Sequence, residues 1–149
     1  MSAAQDIRNF CESLALRATG ELAKELQEKI VTRTPIDTGR AQASWRINPG
    51  EADPTTEPAL ANRIQSTGLI EIADPQEHPL YRDQALAVAR SYQQRLTGRD
   101  VVIVISNNLY YIEELENGSS QQAPAGMVAV TVSNPQQMQA AMDRIVAAL

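Results

Sequence analysis

The sequence predicts an α+β fold: a long N-terminal helix and further helices packed on a small, mainly antiparallel sheet. Three observations carry this expectation. Residues 4–33 repeat apolar side chains at helical steps, and two proline-led segments, after His78 and Asn134, start further helices. The stretches "AQASWRI", "DVVIVIS" and "GMVAVTV" read as strands. For 149 residues with 43% hydrophobic content, one domain spanning residues 1–149 is the expected organisation.

In the first helix, Ile7, Cys11, Leu14, Ala18, Leu22, Leu26 and Ile30 form one apolar stripe. Glu21, Lys24, Glu25, Glu28 and Lys29 supply a solvated face, with Glu25 and Lys29 in the favourable i,i+4 order. Pro35 stops the helix, because it lacks an N–H and turns Thr34 away from helical geometry. After a turn at 37–39, residues 41–47 alternate Ala41, Ala43, Trp45 and Ile47 with Gln42, Ser44 and Arg46, the pattern of a half-buried strand. Residues 49–77 hold Pro49, Gly50, Pro54, Pro58, Gly68 and Pro75 and read as an extended, proline-rich arm or loop. A short strand or helix within 59–73 stays open.

His78 and Pro79 open a second helix with Tyr81, Ala85, Val88, Tyr92 and Leu96 as its stripe, and Gly98 ends it. The β-branched run that follows suits a central strand. "NNLYYIEELENGSS" predicts a turn, a short helix and a second turn at Asn117 and Gly118. Val128, Val130 and Val132 then share one face of a third strand. Asn134 and Pro135 cap a last helix whose stripe is Met138, Met142, Ile145 and Leu149.

Composition narrows the function classes. Cys11 is the single cysteine, which excludes an intramolecular disulfide and zinc sites that need two or four thiolates. The net charge of -5 argues against gripping duplex DNA through neutralised phosphates, though not against surrounding it. No window approaches 18 apolar residues, so no membrane span is expected. The first residues lack the basic segment and apolar run of a signal peptide, so synthesis and folding in the cytoplasm are expected.

Asp37-Thr38-Gly39 spells the active-site tripeptide of aspartic proteases. Those enzymes share one proton between two facing carboxylates, and this chain has no second copy of the tripeptide. A protease would therefore have to be a dimer, and Arg40 beside Asp37 would hold the carboxylate ionised. The simpler reading is an Asx-type turn in which Gly39 permits positive φ. His78, the sole histidine, has no G-x-S-x-G elbow to serve. Glu113, Glu114 and Glu116 cluster without metal-ligand spacing, and no glycine-rich phosphate loop is present. Arg82, Arg90, Arg95 and Arg99 lie along the second helix, diluted by Asp83 and Asp100. The residues thus point to no catalytic set, metal or cofactor.

Two segments, "RTPIDTGRAQASW" and "SNNLYYIEELENGSSQQAPAGMV", together resemble the gene-product-ten-like family of tailed-phage neck and tail-completion proteins. Thr34, Pro35, Asp37, Thr38, Gly39, Arg40, Ser44 and Trp45 fit the first motif. Asn107, Asn108, Tyr110 or Tyr111, Glu116, Gly118, Ser120, Gln122, Ala123, Pro124, Gly126 and Met127 fit the second. The resemblance implies a non-enzymatic virion protein, forming a ring between the capsid portal and the tail through which the genome passes without sequence readout. It implies a homohexamer, with a dodecamer as the other possibility. The implied neighbours are a head-closure or connector protein, a tail terminator or the tail tube.

On this reading Asp37 and Arg40 fix the helix-to-strand corner, and Trp45 anchors the core beneath it. Tyr110, Tyr111 and the turn from Glu116 to Gly118 organise a loop that meets a neighbour. Residues 49–77 reach an adjacent subunit or ring. Two readings from other classes remain: an aspartic-type hydrolase using Asp37 in a dimer, and a monomeric acidic adaptor protein.

Overall fold

Ala3–Arg33 form one unbroken helix of 31 residues, α1. The computed structural model describes residues 2–36, 39–56, 79–93 and 102–149, with the backbone alone for 79–85. Asp37, Thr38, His78, the part of the expected arm from 57 to 77, and residues 94–101, with Arg95, Leu96, Gly98, Arg99 and Asp100, lie outside the described residues. The Ser2 hydroxyl caps α1 by accepting from the Gln5 N–H at 3.4 Å. At the far end Thr34 has φ -69° and ψ 128°, the extended geometry that a following proline imposes. The Glu25–Lys29 pair forms at 2.9 Å, as its spacing predicts. The stripe packs only along its second half. Ala18, Ala23, Ile30 and Val31 are buried, whereas residues 2–13 are all exposed.

The segment after the corner departs from the expected strand over 41–47. Arg40–Ala43 instead form one helical turn, α2, entered through Gly39 at φ 75°. Strand β1 spans Arg46–Pro49. Residues 41–47 are buried on both of the expected faces, polar and apolar alike. The reason lies at the end of α1, where orphan carbonyls need donors. Gln42 turns inward and its Nε2 donates to Val31 O at 3.0 Å and Thr34 O at 3.3 Å. Val31 O also accepts from the Thr34 N–H at 3.1 Å, so a strand, which would have aimed Gln42 at solvent, would have cost it a second donor and cost Thr34 O the Gln42 bond.

β1 pairs antiparallel with β2, Ile103–Ser106, in the register Arg46 opposite Ser106 and Pro49 opposite Ile103. The β2 run was expected as a central strand; among the described residues its one strand neighbour is β1. Helix α3, Pro79–Gln93, starts at the predicted proline. Among its described side chains, 86–93, Ala89 is buried and Leu86 lies against the core, while Val88 and Tyr92 of the predicted stripe are half-buried.

Helix α4 spans Ile112–Glu116, where a short helix was expected. The third strand is not formed: Val128–Val132 are a helix, α5, for a reason given below. Helix α6, Pro135–Ala148, has the predicted cap, the Gln137 N–H donating to Asn134 Oδ1 at 3.1 Å. Ala141 and Ile145 are its buried residues, and Arg144 reaches Glu25 to tie α6 to α1.

The core gathers Ile30, Val31, Trp45, Ala89, Ala123 and Met127, with Ile105, Ile112, Leu115 and Val128 packed around them. The architecture is α+β, with a two-stranded antiparallel sheet among the described residues. Replacing Gln42 by Leu keeps volume but removes the donor to both carbonyls. At about 1 kcal/mol net per hydrogen bond the variant should lose about 2 kcal/mol. Thermal unfolding should register this as a fall of roughly 4–8 °C in Tm.

Candidate functional site at the helix corner

The corner where α1 ends is built by side chains that spend their polar atoms on backbone. Thr34 Oγ1 donates to Ile30 O at 2.8 Å and accepts from Trp45 Nε1 at 2.8 Å. One hydroxyl therefore holds the helix end to the buried indole, whose N–H needs a partner once desolvated. Gln27 Nε2 donates to Trp45 O and Ala89 O, each at 3.4 Å, joining α1 to α3 and to the residue that leads into β1. Arg46, 1% exposed, donates to Ala43 O and to Thr55 Oγ1, and its guanidinium sits 4.2 Å from the Tyr92 ring centroid. Stacking on an aromatic face offsets part of the desolvation of a buried cation.

The second motif closes on this corner. The Gln122 side-chain amide pairs with both backbone groups of Ile36, accepting from its N at 3.0 Å and donating to its O at 3.1 Å. Asn107 Nδ2 donates to Ala41 O at 2.9 Å, and its Oδ1 accepts from Leu109 N at 3.2 Å. Asn108 Nδ2 donates to Asp53 O, holding residues of the arm's start beside β2. Arg33 Nη1 donates to Thr131 Oγ1 at 2.7 Å, and Thr131 in turn donates to Met127 O at 2.6 Å.

Glu116 explains α5. Its Oε2 accepts from Met127 N at 2.8 Å and Val128 N at 2.9 Å, and its Oε1 from Ala129 N at 2.8 Å. These are N–H groups that the first turn of a helix leaves without internal partners. A carboxylate placed on them favours a helix over the strand that β-branched Val128, Val130 and Val132 would otherwise prefer. The loop from Glu116 to Met127 can close this way because of two glycines. Gly118 and Gly126 have φ 86° and 81°, and a Cβ at either would run into the carbonyl oxygen of Pro124 or Glu116 respectively. Within the loop the Ser120 hydroxyl accepts from Gln122 N at 3.2 Å.

The sequence-predicted residues thus sort by place. Thr34, Pro35, Ser44 and Trp45 are buried at the corner, with Gly39 and Arg40 opening α2. Asn107, Asn108, Glu116, Gly118, Ser120, Pro124 and Gly126 form the clasp around it, together with Gln122, Ala123 and Met127. Tyr110 points away, 88% exposed, with Tyr111 edge-on to it at 5.0 Å. Asp37 and Thr38 lie outside the described residues. Gln27, Gln42, Arg46 and Thr131 carry as much of the corner as the predicted set. Their signal in the sequence was weak, since each looks like an ordinary solvated polar residue.

Among the described residues no three His, Cys, Asp or Glu side chains converge as a metal site, and no helix is long and apolar enough to cross a membrane. In comparisons with known proteins, no family model, curated protein or solved structure matches this chain.

Burial acts to raise the Glu116 carboxyl, but the N–H groups of Ala129, Val128 and Met127 outweigh it and hold its pKa below the ordinary 4.5. A lowered folded pKa contributes stability that is full above the ordinary value and is lost as pH falls through the folded value. Wild type should therefore lose stability below about pH 4.5, and Glu116→Gln should flatten part of that loss while lowering stability at pH 7 by about 2 kcal/mol. Urea unfolding between pH 3 and 7 (roughly the carboxylate range) measures both. Gly126→Ala, strained by positive φ and by the Glu116 contact, should cost at least about 2 kcal/mol at any pH.

Proposed function

We propose that this chain is a structural protein of the tailed-phage neck, forming a homo-oligomeric ring that joins the capsid portal complex to the tail and encloses the DNA path. The observation that carries the reading is the convergence of the two resemblance motifs on one corner. Gln122 pairs with Ile36, and Asn107 with Ala41, so the two segments meet in one structural unit, which supports reading them together. A motif built from hydrogen bonds to backbone has the character of scaffold, since its polar atoms are committed to holding the fold. Exposed Tyr110 and the edge-on Tyr111 beside the clasp give it an amphipathic aromatic pair of the kind enriched at protein interfaces.

Six copies fit a six-fold tail tube and are favoured over twelve. The adjacent protein is a head-closure or connector protein, a tail terminator or the tube itself. An acidic chain surrounds DNA without gripping it, which suits passage of a genome. The protein is made in the host cytoplasm and resides in the virion.

Cryo-electron microscopy of the neck in intact particles is the test. The expected result is a closed ring of density between portal and tail that accommodates this chain and gives its copy number. Particles without such density, together with peptide cleavage that disappears in Asp37→Asn, would establish the dimeric hydrolase instead. A purified chain that stays monomeric in particles' absence and presence alike would favour the adaptor.

A further inference from the structure

Two apolar features lack a counterpart within the described chain. The first is the opening third of α1. Residues 2–13 are exposed, and they carry Ile7 at 65% and Phe10 at 64% exposure on the stripe that continues to Leu14. The second is a groove of about 230 Å³ on the body. Leu26 and Ile30 of α1, Ile103 and Ile105 of β2, and Val128 and Val132 of α5 line it. Val132 is 47% exposed at its rim. An apolar cavity of about 150 Å³ accommodates a benzene ring, so this groove has room for the Phe10 phenyl group.

Both features include residues of the unbroken α1, and that rules out one occupant of the groove, the N-terminal end of the same chain. Phe10 is 16 residues from Leu26 and 20 from Ile30, and α1 is unbroken between them. At 1.5 Å per residue they are held about 24–30 Å apart, so residues 2–13, the N-terminal arm of α1, cannot fold back into the groove of their own chain. The geometry points to head-to-tail association between copies of this chain, with Phe10 and Ile7 of one copy seated in the groove of the next. Such a contact is heterologous: it uses two different patches of each copy, and successive copies close into a ring or run on as a filament. A symmetric arm-to-arm zipper is the weaker alternative. The stripe from Ile7 to Leu14 covers about one heptad, where a coiled coil needs about three or four. The inference deepens the ring reading and rests on it for its place in a particle, but its test needs only the purified chain.

Sedimentation equilibrium of the full chain is expected to show masses that rise with concentration beyond a dimer. Phe10→Glu on the arm and Val132→Glu in the groove should each be monomeric. Their mixture should form a one-to-one dimer and nothing larger, because the intact arm of one meets the intact groove of the other. Far-UV circular dichroism checks that Val132→Glu is folded, and Ile7→Glu provides a second arm variant at an exposed position. A wild-type chain that stays monomeric at the highest attainable concentration overturns the inference. So does an arm variant that associates like wild type, or a mixture that remains monomeric. A ring seen in particles whose Phe10→Glu form still assembles would sink the arm contact alone. Head-to-tail association in solution with ringless particles would sink the neck reading alone.

Discussion

A buried helix end cannot leave its last carbonyls bare, and that constraint organises the centre of this protein. α1 delivers the carbonyls of Ile30, Val31 and Thr34 into an apolar interior. Donors come from the C-cap and the chain that follows: the Thr34 N–H to Val31 O, the Thr34 hydroxyl to Ile30 O, and the Gln42 amide to Val31 O and Thr34 O. Satisfying the helix end then dictates the path. Gln42 faces inward only if its segment makes a helical turn, and that turn places Trp45 over Thr34 and starts β1 at Arg46. The sheet register and the position of α3 follow from where β1 begins.

The clasp applies the same logic from the other side. Glu116, Gln122 and Asn107 each complete a backbone hydrogen-bonding pattern that the chain leaves open elsewhere, across separations of 11 to 86 residues. Contacts more distant in sequence close longer loops at a greater entropy cost, which burial of the core around them must offset. The two glutamines at the centre also show a limit. Gln27 Oε1 and Gln42 Oε1 are buried without a hydrogen-bond partner in the protein, which the committed Nε2 groups must offset.

What was legible in the sequence was whatever rests on local physics. The apolar stripe and Pro35 bound α1; Pro79 and the Asn134-Pro135 pair begin α3 and α6 where expected; the short α4 lies between its turns. The errors share a cause. The alternation in 41–47 is a genuine period-2 pattern, and the valines from 128 to 132 genuinely favour strands. Both were overridden by side-chain-to-backbone bonds reaching beyond the element itself, 8 to 13 residues along the chain: Gln42 to Val31 and Thr34 in one case, Glu116 to residues 127–129 in the other. The motif residues themselves were visible, but their roles were not. Glu116 looked like one member of a solvated acidic cluster, and nothing local shows that its carboxylate closes onto residue 127 and its two successors.

The uninterrupted α1 has a mechanical consequence. Its C-terminal half is clamped by the corner, α3 and α6, while residues 2–17 extend about 24 Å beyond the well-packed stretch. A helix so anchored is a lever with its fulcrum near Ala18. A tilt of about 10° there displaces the tip by roughly 4 Å, more than the diameter of an atom. Load applied at the tip is therefore met first along the packed half of α1, from Ala18 to Ile30, and a tip held in place would steady that half with it.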